Sequence, residues 1–206
     1  FDPDSSYLLN LARHIISAVA DLKHHPSTVC WHIGNCTLQQ MKDVYLQPEL
    51  FYRQQAYINW LKNLVHEIKK TDPERMITVD VDAAADLDAT VARLHNQVPE
   101  IDAFGLVVKE NLKDTAQISN LPVPYYYSSI KPELYFKLHH QPTGVLMENW
   151  QDQQTATGVT FNGLKDIWGR NKPAFYEVTR HWTNDTSRHN LPDIKILRPA
   201  LATVQG

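Results

Sequence analysis

Thr28-Val29-Cys30-Trp31-His32-Ile33-Gly34-Asn35-Cys36 is the stretch on which the fold turns. Its apolar run, Val29 to Ile33, is short and bounded by Pro26 and Gly34, as a strand buried on both faces of a parallel sheet should be. The chain's two cysteines, Cys30 and Cys36, lie on this strand and its exit turn. At about 3.3 Å per extended residue their Cα atoms stand far beyond the roughly 7 Å limit for bridging, so no disulfide is expected between them. A metal would have to recruit His24, His25 and His32, whose spacing from the cysteines matches no zinc pattern. No metal and no cofactor is expected.

Upstream, Tyr7, Leu8, Leu11, Ile15, Ile16, Val19 and Leu22 recur at helical spacing behind the cap candidates Asp4, Ser5 and Ser6. They predict an amphipathic helix to about Lys23, stopped by Pro26. Downstream, Tyr57, Ile58, Leu61, Leu64, Val65 and Ile68 form one face of a second helix that ends near Asp72-Pro73, and Met76 to Val81 reads as the next strand. The alternation continues with a helix from about Asp86 to Gln97, a strand Ile101 to Val108 and a weaker helix Leu112 to Ser119. A strand Pro122 to Tyr127, a helix Glu133 to His139 and a strand Gly144 to Met147 follow. A final helix starts at Lys172-Pro173, with proline in the first turn where its missing N–H is harmless. Strands alternating with helices predict an α/β fold of parallel βα units. Beyond Trp182 the pattern dissolves, so 183–206 reads as a linker or the start of a further domain.

With 206 residues, 43% hydrophobic and 21% charged, the chain can bury a large core within the size of one domain. A formal net charge of -3 offers no broad attraction to phosphate or anionic membranes, which makes nucleic acid and lipid surfaces poor partners. No apolar run approaches the roughly 18 residues that span a bilayer, so no membrane insertion is expected.

Five segments carry a resemblance. His25-Pro26-Ser27 leads into Trp31 to Asn35, Lys70-Thr71-Asp72-Pro73-Glu74-Arg75-Met76-Ile77-Thr78 enters the next strand, and Ile101-Asp102-Ala103-Phe104-Gly105-Leu106 enters the one after. Later come Glu148-Asn149-Trp150-Gln151-Asp152-Gln153 and the segment Gly163-Leu164-Lys165-Asp166-Ile167-Trp168-Gly169-Arg170-Asn171-Lys172-Pro173-Ala174-Phe175-Tyr176. In order and spacing these resemble the second half of the barrel in the β-galactosidase, β-glucuronidase and β-mannosidase family, retaining glycoside hydrolases of clan A. The resemblance covers Tyr7 to Trp182. It implies that 1–182 forms an incomplete (β/α)8 TIM-barrel-like domain holding about strands four to eight. Nothing before the first helix reads as strands one to three, so the missing half-barrel is expected from the same or another polypeptide, or from a homodimer.

The departures fall on the chemistry. The family's strand ends Gly-Asn-Glu where this one has Gly34-Asn35-Cys36, and a thiol is a poor general acid. The strand expected to carry the nucleophilic glutamate, Leu121 to Ser129, holds no acid. Cys36, Tyr126 and Tyr127 are therefore the degenerate catalytic positions. Val107-Val108-Lys109-Glu110 stands where the family often places Asn-x-Tyr for sugar contact. Asn35 is retained, and the resemblance implies contact with a sugar 2-hydroxyl.

The expected glycan platform is Trp31, Asn35, Tyr125, Tyr127 and Trp150, at the end of the barrel where such folds place their sites. Alternation limits it, since Tyr125 and Tyr127, or Tyr126 alone, can face one cavity. Core packing is the competing role for these aromatics. Carboxylates near strand ends, Asp80, Asp82, Glu110, Glu148 and Asp152, keep a rewired hydrolase open, with Glu110, Glu148 and Asp152 as fallback acids. Cys36 paired with His32 would be a nucleophile lacking an orienting acid, set against an inert structural thiol. Three functions remain: an inactive glycosidase-like domain with a glycan-binding or regulatory role, an active hydrolase using displaced acids, and a structural interaction domain.

Overall fold

The computed structural model describes residues 2–3, 5–84, 86–109, 121, 123–138, 143–156 and 158–183. The expected helix Leu112 to Ser119, Glu110 and the tail from 184 lie outside them. The chain divides into two compact units, 1–148 and 149–206.

The first unit is built on a five-stranded, all-parallel sheet with strands in chain order. The strands are β1 (Cys30–Ile33), β2 (Met76–Asp82), β3 (Ala103–Val108), β4 (Tyr125–Ile130) and β5 (Val145–Met147). Helices α1 (Ser6–Leu22), α2 (Thr37–Gln40), α3 (Glu49–Thr71), α4 (Leu87–Gln97) and α5 (Pro132–Tyr135) punctuate them. Sequential parallel strands, with helices between β1 and β2, between β2 and β3 and between β4 and β5, make an incomplete (β/α)8 barrel in which, among the described residues, β1 and β5 each have one neighbour.

The core lies on one face of this sheet. Ile77, Val79 and Val81 of β2, with Phe104 and Leu106 of β3, are at most 2% exposed, as are Ile58, Leu61, Val65 and Ile68 of α3 and Val91 and Leu94 of α4. Each such side chain stabilises the fold by about 1.5–3 kcal/mol through burial. The helical face expected for α3 is thus the buried face. In α1, capped by Ser5 accepting from the Leu8 N–H at 3.4 Å, only Val19 is buried, while Tyr7 is 72% exposed.

The third strand starts at Ala103 rather than Ile101, and two later elements differ more. The fourth strand runs Tyr125–Ile130 rather than Pro122 to Tyr127. Pro124 has no N–H to donate to a ladder, and only its carbonyl is used, by Phe104 N–H at 3.0 Å. The helix expected from Glu133 is a single turn, Pro132–Tyr135.

The second unit holds a parallel pair, β6 (Asn149–Gln151) with β9 (Gly163–Lys165), a hairpin of β7 (Gln153–Thr155) with β8 (Gly158–Thr160), and α6 (Pro173–Thr183). These short strands escape a periodicity reading because three residues carry no period. Gly163 is needed for the pairing, since a Cβ there would meet the backbone of Gln151 and Asp152. Pro173 opens α6 at its first position, as expected.

Candidate functional site

Parallel strands deliver their carboxyl ends to one rim, and the register fixes what meets there. Asp80 pairs with Gly105 and Gly105 with Tyr126, so these residues form one row across three strands. Beyond Tyr127 the register slips: Leu106 pairs with Tyr127 but Val107 with Ser129, leaving Ser128 as an extra residue in β4. This β-bulge reverses the alternation, which is why Tyr127 and Ile130 are both buried while Ser128 and Ser129 both border cavities. A polar cavity of about 350 Å³ opens at the rim, lined by Asn35, Asp80, Lys109, Ser129, Lys131 and Glu148 among others. Lys109 is held by Asp82 at 2.8 Å, and that hydrogen bond raises its pKa.

On the same open face lies a second, mainly apolar cavity of about 610 Å³, bordered by Cys30, Tyr126, Ser128, Val145 and Leu146 among others. His32 stands on its wall with both ring nitrogens engaged. Nε2 lies 3.0 Å from Asp80 Oδ2, and Nδ1 lies 2.9 Å from Thr78 Oγ1 and 3.0 Å from the Tyr126 hydroxyl. Tyr126 and Thr78 are 3.1 Å apart, which closes a triangle around Nδ1. Asp80 is 9% exposed, and its other oxygen, Oδ1, is buried with no hydrogen-bond partner among the described residues, as is Ser128 Oγ. Both crowd the space over Gly105 that a Cβ would take. A side chain at 105 would therefore displace the carboxylate that orients His32.

No family model matches the chain, and no curated protein matches it by sequence. Solved structures do match by fold. A β-glucuronidase from Bacteroides uniformis superimposes with a TM-score of 0.70 at 14% identity, over 88% of this chain and 27% of its own. A glycosyl hydrolase family 2 member from Bacteroides cellulosilyticus gives 0.61 at 19% identity, over 88% of this chain and 23% of its own. Xylanase 10B from Thermotoga maritima gives 0.60 at 14% identity, over 86% and 67%. The chain has the fold of the glycoside hydrolase barrels. At these identities the likeness is one of fold, and the chain spans about a quarter of the first two proteins.

Within that barrel fold, Cys36 sits just past the end of β1, in the left-handed region at φ 57°, and is 2% exposed. A non-glycine residue there stores strain of about 1–3 kcal/mol. Burial, then the charges of Asp80 and Asp82, push its thiol up to about 12, with Lys109 pulling weakly the other way. The group is a neutral thiol at neutral pH, which removes the thiolate that a nucleophile needs. Its supposed base, His32, is engaged by Asp80, Thr78 and Tyr126 instead.

The expected platform residues are dispersed. Asn35 borders the rim cavity. Trp31 does not face it: its indole N–H donates to Asp72 Oδ2 at 2.9 Å, at the carboxyl end of α3, because Trp31 has the parity of Ile77 rather than of His32. Tyr127 is 2% exposed, packs edge-on against Tyr125 at 6.3 Å and has its phenol pushed up to about 12 by burial, so it belongs to the core. Tyr125 borders the apolar cavity, and Tyr126 is the ring that points into the hydrogen-bonded cluster. Trp150 lies in the second unit, 57% exposed, with Phe175 edge-on at 5.8 Å and the Lys165 ammonium 5.1 Å from its centroid.

Of the fallback acids, Glu148 borders the rim cavity. Asp152 is buried in the second unit, where it accepts from the Gly163 N–H at 2.8 Å and from Lys172 at 2.9 and 3.2 Å. Those bonds tie the closing segment together and leave it no role as a free acid. The sequence reading missed the His32–Asp80–Tyr126 cluster. Its signal was present in the inward parity of His32, Thr78 and Asp80 on adjacent strands, but it becomes visible only once the register is known.

Proposed function

We propose that this chain is a glycosidase-like domain that binds carbohydrate at the rim cavity without hydrolysing it. The observation that carries this reading is Cys36, a buried thiol with a pKa of about 12 at the strand end where the resemblance puts the acid. A general acid works best with a pKa near the operating pH, so a thiol this weak cannot protonate a leaving group efficiently. The β4 residues that border the cavities near the rim, Ser128 and Ser129, also carry no carboxylate. Asn35, Lys109, Lys131 and Glu148 supply the donors and acceptors that grip hydroxyls. Aryl glycosides with good leaving groups bypass acid catalysis, and no turnover is expected from them, while calorimetry should detect oligosaccharide binding that weakens on Asn35→Ala. Turnover lost on Glu148→Ala would instead establish a hydrolase with displaced carboxylates, the reading favoured by the presence of Asp80 and Glu148 on one cavity.

The same reading implies a barrel completed by further strands. Edge strands β1 and β5 each offer an unpaired backbone ladder among the described residues, and a closed barrel needs eight strands. We propose that another stretch of polypeptide or a second copy covers them. Light scattering on the purified 206-residue chain tests this, since a stable, cooperatively unfolding monomer would refute it.

A further inference from the structure

At its carboxyl end the open face of the sheet finishes in a row of charges. Val108 pairs with Ile130 and Ile130 with Met147, so the next residue on each strand, Lys109, Lys131 and Glu148, forms one row across three strand ends. Ile130 is 0% exposed on the core face, and Lys131 keeps extended dihedrals, φ -74° and ψ 145°, so alternation turns it to the other face and into the rim cavity. Four charged side chains line that cavity: Asp80, Lys109, Lys131 and Glu148. Two are answered within the protein, since Asp80 meets His32 at 3.0 Å and Lys109 meets Asp82 at 2.8 Å. The other two are not. Among the described residues Lys131 and Glu148 make no ion pair and no side-chain hydrogen bond, with each other or with any neighbour.

We propose that the rim cavity selects a zwitterionic sugar, one bearing both a carboxylate and a protonated amine, with Lys131 binding the carboxylate and Glu148 the ammonium. This specificity rests on the carbohydrate reading of the same cavity and names the class of sugar it takes. Opposite charges on adjacent strand ends, about 4.8 Å apart at the backbone, are matched in full only by a ligand carrying the reverse pair. A sugar that is only anionic meets repulsion from Glu148, and one that is only cationic meets it from Lys131. Hydrogen bonds between ionised groups are about twice as strong as neutral ones, so a ligand that makes both contacts is favoured over one that makes either. Closing on each other would gain Lys131 and Glu148 little, as exposed ion pairs do, so such a ligand displaces no strong contact. At about 350 Å³ the cavity is near the small end for ligand sites, the size for one sugar residue and its substituents. Asn35 and Ser129, which line the same cavity, are left for the hydroxyls.

The experiment is calorimetry of the full chain with sugars of one ring configuration: muramic acid, which carries both charges, N-acetylmuramic acid, which keeps the carboxylate alone, glucosamine, which keeps the amine alone, and glucose. At about pH 6 the amine is protonated and the carboxylate ionised. Muramic acid should bind best, and loss of either charge should weaken binding by about tenfold. Lys131→Met should erase the preference for muramic acid over glucosamine, and Glu148→Gln the preference over N-acetylmuramic acid. Neither substitution should move the urea midpoint, since neither side chain has a partner to lose among the described residues. Raising the pH to about 9 neutralises the amine and should remove the advantage over the N-acetylated sugar. Equal affinity for muramic acid and either singly charged sugar, muramic acid that fails to bind, or an advantage that survives both substitutions would overturn the proposal. Oligosaccharide binding that weakens on Asn35→Ala without any preference for charge would leave the carbohydrate reading standing and sink this one, whereas a chain that binds no sugar at all would sink both.

Discussion

The two faces of the parallel sheet obey different rules. One face, carrying Ile77, Val79, Val81, Phe104, Leu106, Tyr127 and Ile130, is at most 2% exposed. The opposite face of the same strands carries His32, Thr78, Asp80, Gly105, Tyr126 and Ser128, with two buried polar atoms that have no partner among the described residues. One face stabilises and the other holds polarity at a cost. An unsatisfied buried polar group costs about 1–3 kcal/mol, which the apolar face must offset. Chemistry is therefore to be sought on the costly face, and stability losses on the other.

The largest test of that contrast is Phe104→Ala. Phe104 is 0% exposed at the centre of the apolar face. Removing its ring should cost about 3–5 kcal/mol, measured as a drop in the urea midpoint. A loss below about 1 kcal/mol would mean that this face collapses freely around a void and is not the packed core. The contrast between faces would then fail.

Gly105→Ala probes the polar face with a single methyl. The added Cβ would meet Asp80 Oδ1 and Ser128, so either β3 shifts or the carboxylate leaves His32. Forcing atoms into a filled site costs about 1–3 kcal/mol. Equal urea midpoints before and after Gly105→Ala would show that the row Asp80–Gly105–Tyr126 is not held by close approach.

The same contrast explains what was legible in the sequence. Helix α3 and strands β2 and β3 could be read because burial imposes a period, as with Ile58, Leu61, Val65 and Ile68 on one helical stripe. Residues on the polar face are chosen for their partners across strands, and partnership depends on register. His32 meets Asp80 rather than Cys36 because β1 pairs with β2 in the register His32 to Thr78. The assignment of Tyr127 to a glycan platform failed for a related reason, since the extra residue Ser128 reverses the alternation and no local pattern announces a bulge. Trp31 was misread because an aromatic beside a glycine-ended strand looks the same whether it faces a helix or a cavity. Asn35 and Glu148 were reachable from the resemblance, which fixes strand ends without needing register.

The smallest expected effect comes from Trp31→Phe, and its pH dependence makes it informative. Trp31 donates to Asp72 Oδ2 at 2.9 Å, and Arg75 reaches the same oxygen at 3.1 Å. Burial pushes the Asp72 carboxyl up, but the hydrogen bonds from Trp31 and Arg75, with the guanidinium charge, outweigh it and hold the pKa below the usual carboxylate range. A depressed folded pKa contributes stability that is complete above the unfolded value of about 3.9 and is lost as pH falls through the lower folded value. Phenylalanine keeps most of the apolar contact and loses the N–H, and Arg75 stays in place, so the cost at neutral pH should be about 1 kcal/mol. Without the indole, Asp72 is depressed less, so the variant has less to lose on acidification. The stability gap should narrow as pH drops below about 4, where the carboxyl begins to protonate in the unfolded chain. Urea titrations of both proteins at neutral and acid pH measure it. A gap that stays constant would separate Trp31 from the Asp72 charge, and a loss of oligosaccharide binding at unchanged stability would move Trp31 to the ligand side of the sheet and break the division between the two faces.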